Sequence, residues 1–318
     1  MEQVDVVVVG GGAAGLAAAL QLGRSRRSVV VVDAGEPRNA PAEHMHGYLG
    51  HEGIAPGDFI ARARAEVVAY GVDLVDGSVT TVTADSPSDG FRVELADGSH
   101  LSARRVLIAA GLVDELPDIP GLSEQWGRGV IHCPYCHGWE VRDQAIVIIA
   151  TGVMATHQAL LFRQLSDQVI VAEHEPGVVG DDDRALLTAR GVTIEVGPVA
   201  EVLAEADVVH GIRLADGRDI CAQAVVVGPR FVARTAPFEA LGLAATPAPM
   251  GSGEVLEVDG RGATSVPGVF AAGNVVDPSQ QVLQAAAAGS RVGAMINAEL
   301  CHQEATAAAA AASSADGG

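Results

Sequence analysis

The strongest constraint on this fold lies in its first thirty-three residues. Residues 4–9 read VDVVVV, residues 10–15 read GGGAAG, an Ala/Leu-rich stretch runs to about Leu22, and a second apolar run, SVVVVD, ends at Asp33. A continuous apolar run of this length predicts a parallel strand buried on both faces. Strand, glycine turn, helix and strand, with an acid about twenty residues past the glycines, make a dinucleotide-binding βαβ unit. Each residue has a physical task. Gly10 permits the tight turn, Gly12 lets backbone approach a pyrophosphate, and Gly15 lets helix pack close to strand. The helix N-terminus turns its positive dipole end to the phosphates. Asp33 takes ribose hydroxyls.

Composition bounds the rest. The chain has 318 residues, 48% of them hydrophobic, enough for two domains with real cores. Forty acids against twenty bases give a net charge of −20. That balance argues against a nucleic-acid or anionic-membrane surface, both of which need clustered cations. The uncharged stretch Val6 to Gly23 is long enough to span a bilayer. It is not read as a span, because Glu2 and Asp5 flank it, no basic segment precedes it, and Gly10, Gly11, Gly12 and Gly15 interrupt it. No secretory signal is visible, and the expected compartment is the cytoplasm.

Further along, GVDLVDGSVTTVTAD and FRVELADGSHLSARRVLIAAG alternate like antiparallel strands with turns at Asp76-Gly77 and Asp97-Gly98. Residues 105–111 read as a buried strand ending in a glycine turn at Ala110 and Gly111. A second αβ unit starts with the apolar strand 145–152, continues through the helical stretch HQALLFRQL, and returns in a strand at 168–175. Further strands are expected at 191–197 and 224–229. Residues 268–300 read as strand, glycine turn and a long helix with small residues on one side. The expected fold class is α/β, with two Rossmann-like dinucleotide-binding domains, the second inserted into the first. The first comprises 1–112 and 242–302, and the insertion 113–241. In the tail, 303–318, the Ala run can extend the helix, while the Ser/Asp/Gly end is expected to be disordered.

The inserted unit lacks the phosphate-binding features of the first. Its turn reads Ala150-Thr151-Gly152-Val153-Met154-Ala155, with a methyl group at the first glycine position and bulk around the others. Its second strand ends in Glu173, His174 and Glu175, where an NADPH site needs cations for the 2′-phosphate. The two acids would repel that phosphate, so the unit is expected to keep the fold and to have lost tight NADPH binding.

Within that unit, IHCPYCHGWE at 131–140 places Cys133 and Cys136 two residues apart, with His137 directly after. His132, Cys133, Cys136 and His137 are too close in sequence for one tetrahedral zinc site, and Cys221 and Cys301 form no second CxxC. No metal is expected there. Pro134 and Tyr135 make a stiff turn at which a helix starts, and a helix N-terminus with a nearby histidine lowers thiol pKa. The pair therefore reads as a redox disulfide, with His137 as general base and acid or, alternatively, as a cap of the turn. The HxH of His44 and His46, with His51, reads as a loop near the cofactor, not a metal pair. Cys221 and Cys301 read as inert thiols. Trp126 and Trp139 either wall the site or simply pack.

The combination VVVVGGGAAGLAAAL, DAGEPRN, LPDIPG…WGRGVIHCPYCHGWE and GVFAAGNVVDP…QQV resembles the low-molecular-weight thioredoxin-reductase-like flavoproteins across residues 3–301. The resemblance implies FAD in the first unit, against Gly10, Gly12, Ala13, Ala14, Gly15, Asp33, Ala34, Gly35, Arg38, Asn39, Val79, Ala110, Gly111, Gly273, Asn274, Gln281 and Val282. Asn274 stands where the superfamily more often has Asp, and it can still bond a ribityl hydroxyl or a phosphate oxygen. Ordinary thioredoxin reductases carry an acid after the second cysteine, an intact second glycine turn and a basic run. His137 and the degraded second unit depart from that pattern. They look like the dithiol oxidases of disulfide natural products of the gliotoxin, holomycin and romidepsin type. Those enzymes use CxxCH, FAD and molecular oxygen to close a small-molecule dithiol and release hydrogen peroxide. On this resemblance, substrate meets Cys133, Cys136 is the flavin-proximal sulfur, and the chain is a homodimer. The rivals are an NADPH- or ferredoxin-dependent disulfide reductase and a non-catalytic flavin-binding protein. Without NADPH there is no reason for the domains to rotate, so a fixed arrangement with Cys136 on the flavin is expected.

Overall fold

The computed structural model describes residues 3–86, 90–248 and 251–316. The chain begins β1 (Val4–Val9), α1 (Ala13–Arg24), β2 (Val29–Asp33), α2 (Pro56–Val68), β3 (Asp73–Asp76), β4 (Val79–Ser86), β5 (Gly90–Leu95) and β6 (His100–Ile108). After β7 (Leu112–Glu115) come β8 (Val130–Ile131), α3 (Pro134–His137), β9 (Ile146–Ala150), α4 (Ala155–Phe162), β10 (Val169–Glu173), α5 (Asp181–Ala189) and β11 (Thr193–Val196). Then β12 (Val199–Glu205), β13 (Val208–Leu214), β14 (Asp219–Cys221), β15 (Ala224–Val227) and β16 (Arg230–Ala233) lead back. The chain closes with β17 (Thr246–Pro247), β18 (Glu254–Val255), β19 (Val269–Ala271) and α6 (Val282–Asp316).

The unbroken valine runs are explained by two cores on opposite faces of one sheet. Val6, Val8, Val29 and Val31 pack with α1 and α6, while Val7, Val9, Val30 and Val32 pack with Val82, Val93 and Phe238 on the other face. Side chains alternate along each strand, and both faces are covered, so every position must be apolar. The sheet runs β3-β2-β1-β6-β5-β4, with β19 also on β6. The inserted stretch builds a second, all-parallel sheet, β11-β10-β9-β15-β8. A three-stranded sheet, β12-β13-β14, covers one side of it. The chain enters and leaves this region through β7 and β16, which pair antiparallel.

Two expectations are corrected. The Asp76-Gly77 turn does not join antiparallel strands, since β3 pairs parallel to β2 at the sheet edge and only β4-β5-β6 form the antiparallel meander. The tail at 303–318 is not disordered through its described part: α6 continues to Asp316. Its alanines favour helix intrinsically, and Glu304 lies 2.6 Å from Arg27 and 2.7 Å from Arg104. Gly317 and Gly318 lie outside the described residues. Earlier in α6, Gly289 approaches α1 so closely that a Cβ would come within 1.9 Å of the Ala14 carbonyl oxygen. Among the described residues no helix is long and apolar enough to cross a membrane.

Candidate active site

The turn between β1 and α1 is shaped by its missing side chains. Gly10 has φ +107°, and a Cβ on Gly15 would lie 1.9 Å from the Gly10 carbonyl oxygen. A Cβ on Gly12 would meet nothing within 4 Å, so that backbone faces open space. The Gly11 N–H donates to Asp33 Oδ1 at 3.1 Å, and Arg64 reaches Asp33 Oδ2 at 3.2 Å and Asp76 at 2.5 Å. Open backbone amides at a helix start, beside an acid at the strand end, can hold a dinucleotide.

That turn opens on a cavity of about 1790 Å³. Every residue assigned to the cofactor in the sequence lines it except Gly15, which sits beneath the turn. Two of them have their polar groups engaged with protein. Arg38 makes a bidentate pair with Asp114 at 2.8 and 2.7 Å, donates to the Pro278 carbonyl at 3.3 Å, and lies over the Phe231 ring. Asn274 donates from Nδ2 to the main-chain carbonyls of Asp277, Pro278 and Gln280.

Cys133, Cys136 and His137 line the same cavity. Cys133 is the N-cap of α3, a single turn started by Pro134. All three side chains are half-buried. Each cysteine is a free thiol. The neighbouring Cys136 thiol, with the Tyr135 and Cys136 amides and the Gln281 side chain, lowers Cys133 to about 7 against the opposing effect of burial. Cys136, the proton-holding partner and also buried, is raised. Such a pair titrates as a unit. Gln281, at the start of α6, donates from Nε2 to Cys136 Sγ at 3.4 Å. Burial lowers His137, with Glu140 acting the other way and His46 adding to the lowering. Burial, aided by Arg38, lowers His132 to about 4; it stacks on Phe231 and leaves its Nδ1 without a partner.

The loop with His44, His46 and His51 reaches this site from the first sheet. His46 Nδ1 lies 2.6 Å from Glu52, and its Nε2 lies 3.5 Å from Glu140, just past the redox pair. Among the described residues no cluster of three or more His, Cys, Asp or Glu side chains could hold a metal. Trp126 lines the cavity, whereas Trp139 is 65% exposed with Arg142 over its ring.

The acids after β10 do not act as the sequence suggests. Glu173 is 2% exposed and faces inward, accepting from the Gly177 and Val179 amides at 2.9 and 3.4 Å and from Arg184 at 2.5 Å. It is a structural post. His174 accepts from the Val199 amide through Nδ1 at 2.9 Å, which places its proton on Nε2. Of the acids flanking His174, only Glu175 lines the cavity. Cations that could meet a phosphate are scarce around the cavity. The chain contains no lysine. Among the described residues, the cavity-lining arginines Arg38, Arg64, Arg230 and Arg234 all have carboxylate partners.

Residues 4–291 match the family described as pyridine nucleotide-disulphide oxidoreductase. The chain belongs to that family. It is 31% identical to a thioredoxin reductase, tcpT, of Claviceps purpurea, over 93% of this chain and 94% of the relative. It is 31% identical to a thioredoxin reductase, sirT, of Leptosphaeria maculans, over 92% and 93%. The crystal structure of HlmI superposes with a TM-score of 0.92 at 44% identity, covering 98% of this chain and 97% of that one. An oxidoreductase from Agrobacterium tumefaciens superposes with a TM-score of 0.87 at 38% identity, covering 95% and 99%.

For a thioredoxin-reductase-like disulfide oxidoreductase, the site residues that escape sequence reasoning are the partners of those it finds. Arg64 holds Asp33, Asp114 holds Arg38, Phe231 carries His132, and Glu52 and Glu140 bracket His46. Of these, Glu52, Asp114 and Glu140 lie within about ten residues of His51, Gly111 and Cys136, whereas Arg64 and Phe231 are farther from any residue assigned to the site.

Proposed function

We propose that the protein is an FAD-dependent oxidase that closes a small-molecule dithiol to an intramolecular disulfide through Cys133 and Cys136. Oxygen is the final acceptor, and the product is a disulfide-containing natural product being made or detoxified. One observation carries this reading. The redox pair opens on the same cavity as the Gly10–Ala14 turn, while each arginine of that cavity is already paired. Electrons therefore have a protein route between a dithiol and a flavin, and among the described residues no arginine lining this cavity is left unpaired for a 2′-phosphate.

The residues fit FAD. Gly12 has open space where a pyrophosphate would lie, and the buried Gln280 Oε1, on a residue lining the cavity, has no protein partner. Bound there, FAD would accept two electrons from the reduced pair and pass them to oxygen as hydrogen peroxide. The protein does the rest. His137, kept neutral by burial, takes the proton of the entering thiol. The substrate thiolate attacks Cys133 Sγ, and the Cys133–Cys136 bond breaks. The second substrate thiol then displaces Cys133, and the product leaves as a ring.

The test is anaerobic. Purified yellow protein is mixed with NADPH and, separately, with dithiothreitol, and flavin bleaching is followed before air is admitted. Bleaching by the dithiol alone, with colour and peroxide returning in air, is the expected outcome. Rapid bleaching by NADPH would instead make the protein a reductase.

A further inference from the structure

Nδ2 of Asn274 lies 3.1 Å from the Asp277 carbonyl oxygen, 3.4 Å from that of Pro278 and 2.9 Å from that of Gln280. Three acceptors around one nitrogen require a donor there, and a carboxylate at 274 would face them with like polarity. Arg38 draws on the same loop through the Pro278 carbonyl. The loop ends at Gln281, whose Nε2 lies 3.4 Å from Cys136 Sγ. Gly47, at φ +77°, backs this amide: a Cβ there would come 3.3 Å from Gln281 Oε1.

We propose that Gln281 is a catalytic hydrogen-bond donor to the Cys136 sulfur, and that Asn274 is the positioning residue that delivers it by gathering the Asp277, Pro278 and Gln280 carbonyls. The inference deepens the dithiol-oxidase reading and rests on it for the direction of attack. When a substrate thiolate attacks Cys133 Sγ, a substrate–Cys133 disulfide bond forms and the Cys133–Cys136 bond breaks. The departing electron pair stays on Cys136 Sγ as a thiolate. The substrate sulfur is oxidised, and the enzyme's own disulfide is the oxidant. The amide of Gln281 already lies where that charge arrives, and donors set in place before charge develops need no reorganisation. A better-stabilised leaving thiolate departs faster.

The test reads the sulfur itself. In a Cys133→Ser background, the holoenzyme is alkylated with iodoacetamide across a pH series, and the Cys136 peptide is quantified by mass spectrometry. Gln281→Met should raise the alkylation midpoint by about one pH unit, a tenfold loss of thiolate below it. Asn274→Asp should raise it in the same direction, and the two together should add little to Gln281→Met alone. Asn274→Ala serves where Asn274→Asp does not fold. An unmoved midpoint in Gln281→Met overturns the proposal. An unmoved midpoint in folded Asn274 variants removes Asn274 from it. No oxidase turnover enters this measurement. A shifted midpoint with no anaerobic bleaching by dithiol would leave the donor in place and defeat the oxidase reading.

Discussion

Glu173→Gln should lower stability by about 2 kcal/mol and still not admit NADPH. The side chain is 2% exposed and receives two amide hydrogen bonds and one from Arg184. Glutamine offers one acceptor oxygen in place of two. If it keeps the Gly177 and Val179 amides, its NH2 faces Arg184, which is 36% exposed and can turn to water. What is lost is one charge-assisted hydrogen bond, worth roughly 1.5–3 kcal/mol. If it turns the other way, the loop amides lose their partner at about 1–3 kcal/mol each, so the first arrangement prevails. The pH dependence has a definite sign. Burial works against the charged carboxyl, but Arg184 and the two amides outweigh it and hold the folded pKa below its ordinary 4.5. The contribution is therefore present above the unfolded value and lost as pH falls through the lower folded one. Urea unfolding of wild type and variant should differ by about 2 kcal/mol near neutrality, and the gap should close in acid. An unchanged midpoint, or a gap independent of pH, would refute Glu173 as a structural post. NADPH bleaching in the variant alone would restore it as an electrostatic barrier.

Other consequences are checked as directly. Gly12→Ala, whose methyl meets nothing in the protein, should fold with near-normal stability but be purified with little flavin; Gly15→Ala, with a Cβ 1.9 Å from the Gly10 carbonyl, should fail to form the turn at all. Bound-flavin absorbance and thermal unfolding separate the two. Because burial lowers His137, the acid limb of kcat/KM for dithiol oxidation should fall below the ordinary imidazole value of 6.5. His137→Gln should cost about 10²-fold or more in rate and abolish that limb. His132, lowered to about 4, binds a proton more readily when unfolded, so wild-type stability should fall as pH drops from 6.5 toward 4. His132→Phe should flatten that slope in the same unfolding series.

What the sequence determined by itself rests on neighbours along the chain. The β1–α1 turn is legible in Gly10, with φ +107°, and in Gly15, whose Cβ would strike the Gly10 carbonyl within the same turn. Cys133, Pro134 and Cys136 form the first turn of α3 through local amide bonds to the Cys133 carbonyl. The valine runs declare two-sided burial before any partner strand is known. The tertiary structure decided the matters that depend on residues far away. The redox sulfur meets its amide donor across 145 positions, and Arg38 meets Asp114 across 76. Glu304 finds Arg27 across 277, which ties the extended end of α6 to the first sheet. Glu173 carries the same charge whether it faces a ligand or a loop. Only the fold of 177–184 around it turned it inward, because a hydrogen bond depends on direction and distance, which a residue's identity does not contain.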